Sequence, residues 1–166
     1  IVTRANPRAA SLGVRAGQSV REAAELLRSA PLFDAAAIQT HERREWVAEG
    51  VLVIDSASQV REEDAGAIVL TGSHGGLLGG KPEAALRVRA RFAAFNDAGY
   101  GVEDYGITRL PALDQAGIAA VTVSNQSARI GDGLSTYEDG LISAFNAAAE
   151  RLGARQGQSL KALIAL

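Results

Sequence analysis

Three segments of the chain pass from an apolar stretch directly into small, polar and titratable residues. They are 67–72 followed by Ser73 and His74, 92–95 followed by Asn96 and Asp97, and 118–123 followed by the loop 124–133. In an open parallel sheet, ligands bind at the carboxyl ends of the strands. We therefore expect the three loops to meet at one edge of a sheet and to form a small-molecule site there.

The side chains in these loops suit acid–base chemistry. We predict Ser73, His74 and Asp97 as catalytic residues, because an imidazole transfers protons near neutral pH and a carboxylate can orient or assist it. Arg129 offers a planar fork for a carboxylate or phosphate, and glycines let the backbone approach a ligand closely. The predicted substrate-binding residues are Gly75, Gly76, Asn96, Ser127, Arg129 and Asp132. We expect hydrolysis of a small amide or ester that bears an anionic group, with a lyase or isomerase reaction as second choice.

Each loop also has a structural explanation. Asn96 and Asp97 are typical turn residues, Asp132 can cap the helix that follows it, and Arg129 can form an ion pair with Asp132. The alternative function is therefore a non-catalytic module that binds a ligand or assembles with itself, such as a subunit or fragment of a larger enzyme.

The glycine-rich loop 72–82 contains part of a phosphate-binding pattern. Gly75, Gly80 and Lys81 have the spacing of a Walker A loop, but Pro82 occupies the position of the Ser or Thr that binds magnesium. The following residues alternate like a strand and do not open a long helix. We therefore expect no cofactor. The loop also lacks the nucleophile elbow that surrounds the serine of many hydrolases.

Composition argues against several classes of function. The 166 residues include 17 Lys+Arg and 19 Asp+Glu, so the strong basic field of nucleic-acid-binding proteins is absent. There is no Cys and there are two His, which argues against thiolate chemistry and zinc ligation. No apolar run approaches the ~20 residues of a membrane span. We expect a cytoplasmic homo-oligomer that binds a small anionic or polar metabolite, and neither nucleic acid nor membrane.

The two ends of the chain resemble each other, with residue n matching residue n + 140. Matches include Asn6 with Asn146, Leu12-Gly13 with Leu152-Gly153, and Gly17-Gln18-Ser19 with Gly157-Gln158-Ser159. Each copy reads as a helix end, a glycine stop, a turn and a serine that caps a second helix. Three explanations of this similarity are open. The two ends are similar helix–turn–helix connectors, they occupy equivalent places in an oligomer, or the chain was cut from a larger polypeptide with a related preceding domain.

Alternating helix and strand patterns predict the fold. Helices are predicted over 34–48, with His41 on its solvated side, over 103–115 with an interruption at Pro111, and over 135–152. Strands are predicted over 51–54, 67–72, 86–95 and 118–124. This order predicts an α/β fold, a three-layer α/β/α sandwich around a mainly parallel sheet of about four strands, with helix–turn–helix segments at both chain ends. We expect a single domain over 1–166, with a helical N-terminal segment 1–48 and a sheet-containing core 49–166.

Overall fold

A computed structural model describes residues 1–31 and 42–165, in two compact units, Ile1–Thr40 and His41–Leu166. The first unit contains α1 (Pro7–Ser11) and α2 (Val20–Leu27). The part of the predicted helix at 34–41, with His41, lies outside the described residues. Its remainder is not helical, because Arg44–Ala48 forms a strand.

The second unit is an α/β domain with one six-stranded mixed sheet in the order β1-β2-β3-β4-β5-β6. The strands are β1 (Arg44–Ala48), β2 (Val51–Ile54), β3 (Ile68–His74), β4 (Phe92–Asn96), β5 (Ala119–Val123) and β6 (Ile142–Phe145). Strands β2 to β5 are parallel to one another, whereas β1 pairs antiparallel with β2 and β6 pairs antiparallel with β5 at the two edges. The sheet therefore has two more strands than the four predicted.

The parallel strands are short apolar runs because both faces of the sheet are buried. Every residue of β2, β4 and β5 is buried. Their side chains alternate between two core clusters, with Leu52 and Phe95 in one and Val53 and Val121 in the other. Burial on both faces explains why these strands could be predicted from apolar content alone.

The connections between the parallel strands consist mainly of short 3-10 segments. These are Ala57–Gln59, Glu62–Asp64, Leu78–Gly80, Pro82–Ala84 and Val102–Ile107, the last followed by α3 (Arg109–Gln115). The predicted helix over 103–115 is interrupted before Arg109 and not at Pro111. Pro111 lies in the first turn of α3, where a missing N–H removes no helical hydrogen bond.

The predicted strand over 86–95 begins only at Phe92. The residues before Phe92 alternate in polarity, but they form no strand. Their backbone is hydrogen-bonded to the turn before β3: the Gly66 amide donates to the Arg89 carbonyl, and the Arg91 amide donates to the Ala67 carbonyl. The alternation of arginines therefore reflects exposure and not strand pairing.

The predicted helix over 135–152 is wrong. The segment forms α4 (Gly133–Glu138), then β6, then α5 (Ala147–Arg151), and a later helix α6 (Leu160–Ile164) follows. Gly140 explains the break: a Cβ there would overlap the Thr136 carbonyl and the Val123 side chain, so the chain turns directly against β5. Close packing of a glycine cannot be recognised from helical periodicity.

The described helices of the second unit are short: α3 and α4 lie between strands in the chain, and α5 and α6 follow β6. Across residues 1–31 and 42–165, no helix combines the length and the apolar character that a membrane crossing needs.

Candidate functional site

His74 is the last residue of β3, at the carboxyl end of the parallel strands. Its Nδ1 accepts a hydrogen bond from the backbone N–H of Gly76 at 3.0 Å. A ring nitrogen that accepts a hydrogen bond carries no proton, so the neutral ring holds its proton on Nε2. Among the described residues Nε2 has no hydrogen-bond partner, and it is the nitrogen available to a ligand.

The pKa of His74 is held below its usual 6.5. Burial of the ring is the larger cause, and the positive charge of Arg109 is the second. Both disfavour the imidazolium, so the neutral ring dominates at neutral pH.

A cleft of about 510 Å³ opens beside His74. Its described lining residues are His74, Ala98, Tyr100, Gly101, Val102, Glu103, Tyr105 and Gly106. Glu103 is the only carboxylate among these lining residues, and none of them is Lys or Arg. The Tyr105 ring lies with its centroid 6.3 Å from that of His74 and donates its hydroxyl to the Leu77 carbonyl at 2.7 Å.

The wall of the cleft is backbone in the left-handed conformation. Ala98, Tyr100 and Glu103 in the lining, and Asp104 next to it in the chain, have φ values between 51° and 64°. Each such residue other than glycine costs of order 1–3 kcal/mol, and strain of this kind is concentrated at ligand sites. The strain makes this wall a stronger candidate for function than the other surface loops.

Two hydrogen bonds from backbone amides to Asp97 support the strained wall. Its Oδ1 accepts from the Gly99 amide at 2.8 Å and from the Asn125 amide at 3.0 Å. Gly106 packs so closely that a Cβ would overlap the Asp97 carbonyl. Asp97 therefore joins the cleft wall to the loop after β5.

Arg109, which we did not predict from sequence, lies beneath the glycine loop and is only 4% exposed. Its Nε donates to the Gly76 carbonyl at 3.1 Å and its Nη1 donates to the Ala85 carbonyl. The guanidinium carbon lies 4.9 Å from the ring centroid of Phe95, and burial lowers the pKa of Arg109. It makes no ion pair with any described residue. Arg109 thus positions Gly76, and through it His74.

The other two predicted catalytic residues are not hydrogen-bonded to His74. The Ser73 hydroxyl oxygen accepts from the Ala57 amide at 2.9 Å, and the buried Asp97 accepts from the Gly99 and Asn125 amides. The described residues therefore contain no Ser–His–Asp hydrogen-bond chain, and the catalytic roles of Ser73 and Asp97 stay predictions.

Asn96 connects the end of β4 to the loop after β5, and Ser127 connects that loop to the residue before β6. The fully buried Asn96 donates from Nδ2 to the Ala128 carbonyl at 2.9 Å. The Ser127 hydroxyl donates to the Ser124 carbonyl and accepts from the Leu141 amide. Their partners are structural, and their predicted substrate-binding roles remain untested.

Arg129 and Asp132 bind each other at the start of α4. Nε and Nη2 of Arg129 lie 3.2 and 2.8 Å from Oδ2 of Asp132. Oδ1 of Asp132 caps the helix by accepting from the Ser135 amide at 2.9 Å. The pKa of Asp132 lies below its usual value. The hydrogen bond from the Ser135 amide is the larger cause and Arg129 is the smaller one, and together they outweigh burial, which raises the pKa.

Of the nine predicted site residues, His74 is the one that lines the cleft; Gly75 and Gly76 follow it in the chain. Sequence reasoning missed Glu103 as a cleft residue, and nothing but its place after a glycine-rich turn could have found it. The sequence did contain a signal for the buried position of Arg109, because it is the one charged residue in the largely apolar stretch 107–113.

The described part of the chain holds no cluster of His, Asp and Glu that could bind a metal ion. Comparison with protein-family models, curated proteins and solved structures found no match to this chain. The cleft must therefore be interpreted from its own geometry.

Proposed function

We propose that the protein is a small-molecule enzyme in which Nε2 of His74 donates a proton or hydrogen bond to an oxygen atom of the substrate. The observation that carries the proposal is the hydrogen bond from Gly76 to Nδ1 of His74, at the edge of a strained cleft. A neutral imidazole held in one tautomer is an effective donor to a developing oxyanion.

The first reaction we propose is hydrolysis of a small amide or ester. Water attacks the carbonyl carbon while His74 stabilises the negative charge on the carbonyl oxygen. Glu103 takes the proton from the water and delivers it to the leaving nitrogen or oxygen as its bond to carbon breaks. Because the Ser73 hydroxyl oxygen already accepts from Ala57, water and not Ser73 is the proposed nucleophile.

The anionic group that we expect on the substrate depends on Arg129. That side chain is bound to Asp132, and the described lining of the cleft contains a carboxylate and no cation. Uncharged polar amides and esters are therefore the first class to screen, and anionic ones are the second.

A lyase or isomerase that moves a proton is the second candidate, favoured by the same two residues. His74 would polarise a carbonyl group while Glu103 removes a proton from the neighbouring carbon. The two candidates differ in a direct observable, because an isomerase exchanges that carbon-bound hydrogen with deuterium in heavy water and a hydrolase need not.

The test is a screen of small amides and esters, followed by variants of the two residues. We expect His74→Gln to lower kcat/KM by about 10²-fold or more and Glu103→Gln to lower it by about 10²-fold, each with the urea midpoint retained. Glu62→Gln is the control for loss of a glutamate, because Glu62 is exposed and lies outside the cleft lining. Wild-type turnover in His74→Gln would exclude this mechanism.

The non-catalytic alternative gives a different result. A ligand-binding or self-assembling module, or a subunit or fragment of a larger enzyme, would bind ligand in the cleft without turnover, and His74→Gln would change only the Kd. The three-layer arrangement, the helix–turn–helix segments, a cytoplasmic location, a homo-oligomeric state, and the absence of nucleic-acid and membrane partners are also proposals, and they rest on the sequence.

A further inference from the structure

Residues 1–25, here the N-terminal motif, and residues 141–165, the C-terminal motif, have the same internal hydrogen bonds. The Val2 amide donates to the Gln18 carbonyl at 2.8 Å, and the Ile142 amide donates to the Gln158 carbonyl at 2.9 Å. The Gly17 amide donates to the Val2 carbonyl at 2.9 Å, and the Gly157 amide donates to the Ile142 carbonyl at 2.7 Å. The Val14 amide donates to the Ala9 carbonyl and the Ala154 amide to the Ala149 carbonyl, both at 3.1 Å. The sequence repeat is therefore also a repeat of structure.

The caps and turns of the two motifs agree as well. Asn6 and Asn146 each cap the first helix by accepting from the amide three residues later, at 2.8 and 2.9 Å. Gly13 and Gly153 have φ values of +90° and +92°. Two segments with the same caps, turns and bonds are expected to pack on the same kind of surface.

In its own domain the C-terminal motif closes one edge of the sheet. Its strand β6 pairs with β5. Asn146 binds the backbone at the start of β5: Oδ1 accepts from the Ala120 amide at 3.0 Å, and Nδ2 donates to the carbonyl of Ile118, just before the strand, at 2.8 Å. Leu160 is fully buried in the core on this face. The motif thus supplies an edge strand, an asparagine clamp and an apolar cover.

The N-terminal motif presents the same groups without their partners. Asn6 keeps its cap, but its Nδ2 has no hydrogen-bond partner among the described residues. Val20, in the position of Leu160, is 63% exposed, whereas Leu160 is 0% exposed. Arg21 occupies the position of Lys161 and, within the described chain, pairs with no acid.

An apolar groove of about 380 Å³ lies on this face of the N-terminal motif. Val2, Ala9, Val14 and Val20 of the motif contribute to its lining, together with Leu27 just after the motif. The equivalent face of the C-terminal motif is covered by β5 and α4 of its own domain, and Lys161 there lies 2.5 Å from Glu138 of α4. The surface that β5 and α4 present to the C-terminal motif is therefore an example of a surface that would fit the groove of the N-terminal motif.

We propose that the N-terminal motif docks on the open sheet edge of a second domain that has the fold of residues 42–140 and lacks a closing motif of its own. It would take the place that the C-terminal motif takes in this domain. The edge strand of that domain would bind Asn6 through its backbone amide and carbonyl groups. Its apolar face would cover Val20, and an acid in the position of Glu138 would pair with Arg21. This inference does not depend on the proposed function.

The test is a fusion in which residues 42–140 are placed directly before Ile1 of the full chain. The N-terminal motif then follows an added domain that lacks its own closing motif. We expect backbone amides of the added sheet to exchange with solvent about 10²-fold more slowly than in the same fusion carrying Asn6→Ala and Val20→Asp. A fusion of residues 42–166 before the full chain serves as the positive control.

A second variant tests whether missing protection of the added sheet results only from small side chains in the N-terminal motif. Val20→Leu with Ala23→Leu gives the N-terminal motif the bulk of Leu160 and Leu163. If the added sheet stays unprotected in both the original fusion and this variant, the proposal is wrong. It is also wrong if the full chain dimerises in solution and Val20→Asp dissociates the dimer, because the groove would then bind the outer surface of a complete second copy.

Discussion

The backbone N–H of Gly76 donates to Nδ1 of His74 at 3.0 Å, while the carbonyl of the same glycine accepts from Nε of Arg109 at 3.1 Å. One residue therefore connects a buried guanidinium to the imidazole in the cleft. The arrangement sets the tautomer of His74 by geometry, and it makes Arg109 a positioning residue although it does not line the cleft.

The stability of the protein should depend on pH through His74. The pKa of this group is lower in the folded state than its usual 6.5, so the unfolded chain takes up the proton first. The contribution of His74 to the free energy of unfolding should be most favourable above pH 6.5 and should fall as the pH decreases through the folded-state pKa. Below the folded-state pKa this contribution should stay constant. Urea denaturation between pH 7.5 and 5 measures it. The free energy of unfolding should change less steeply with pH in His74→Gln than in the wild type. Parallel curves of this free energy against pH for the two proteins would refute the prediction.

Arg109→Met should raise the pKa of His74 toward 6.5 and destabilise the domain. The variant removes the nearby positive charge and leaves the carbonyls of Gly76 and Ala85 without their donor, at a cost of about 2 kcal/mol or more. NMR titration of His74 and urea denaturation measure the two effects. Arg87→Met is the matched control because Arg87 is exposed. A His74 pKa that does not move would contradict the positioning role.

Asp132→Ala should destabilise the domain by about 1 kcal/mol, because α4 loses its N-cap. Arg129→Ala should cost much less, since its side chain is mostly exposed and its partner keeps the Ser135 amide. The stabilisation that Asp132 contributes is present above its usual pKa of 3.8 and is lost as the pH falls through its lower folded value. Equal effects of the two variants in urea denaturation would show that the ion pair, and not the cap, matters.

Asn146→Ala should be more destabilising than the matched variant Asn6→Ala. Both remove a helix cap, worth about 1 kcal/mol, but only Asn146→Ala also leaves the buried Ala120 amide and Ile118 carbonyl unpaired, which costs about 1–3 kcal/mol more. Thermal unfolding of both variants measures the difference. Similar losses would mean that Asn6 has a second contact of the same strength.

Local patterns predicted the middle of the sheet and the position of the candidate site. Short apolar runs such as Val51–Ile54 form strands because they are buried on both faces, and the polar residues after them lie at the strand ends. His74 was predicted in this way. The match between the two chain ends was also visible, because caps and glycine turns depend on neighbouring residues alone.

Distant contacts decided what the sequence could not show. The wrong helix over 135–152 arose because Gly140 packs on β5, and Asp97 binds the amide of Asn125 and not His74. Glu103 enters the cleft only because the 98–106 backbone takes left-handed conformations. The amino-acid sequence by itself determined the parallel strands, the polar strand ends and the repeated motif. Only the tertiary structure decided the edge strands, the partners of the polar side chains and the tautomer of His74, because these depend on groups that are far apart in the chain and come together on folding.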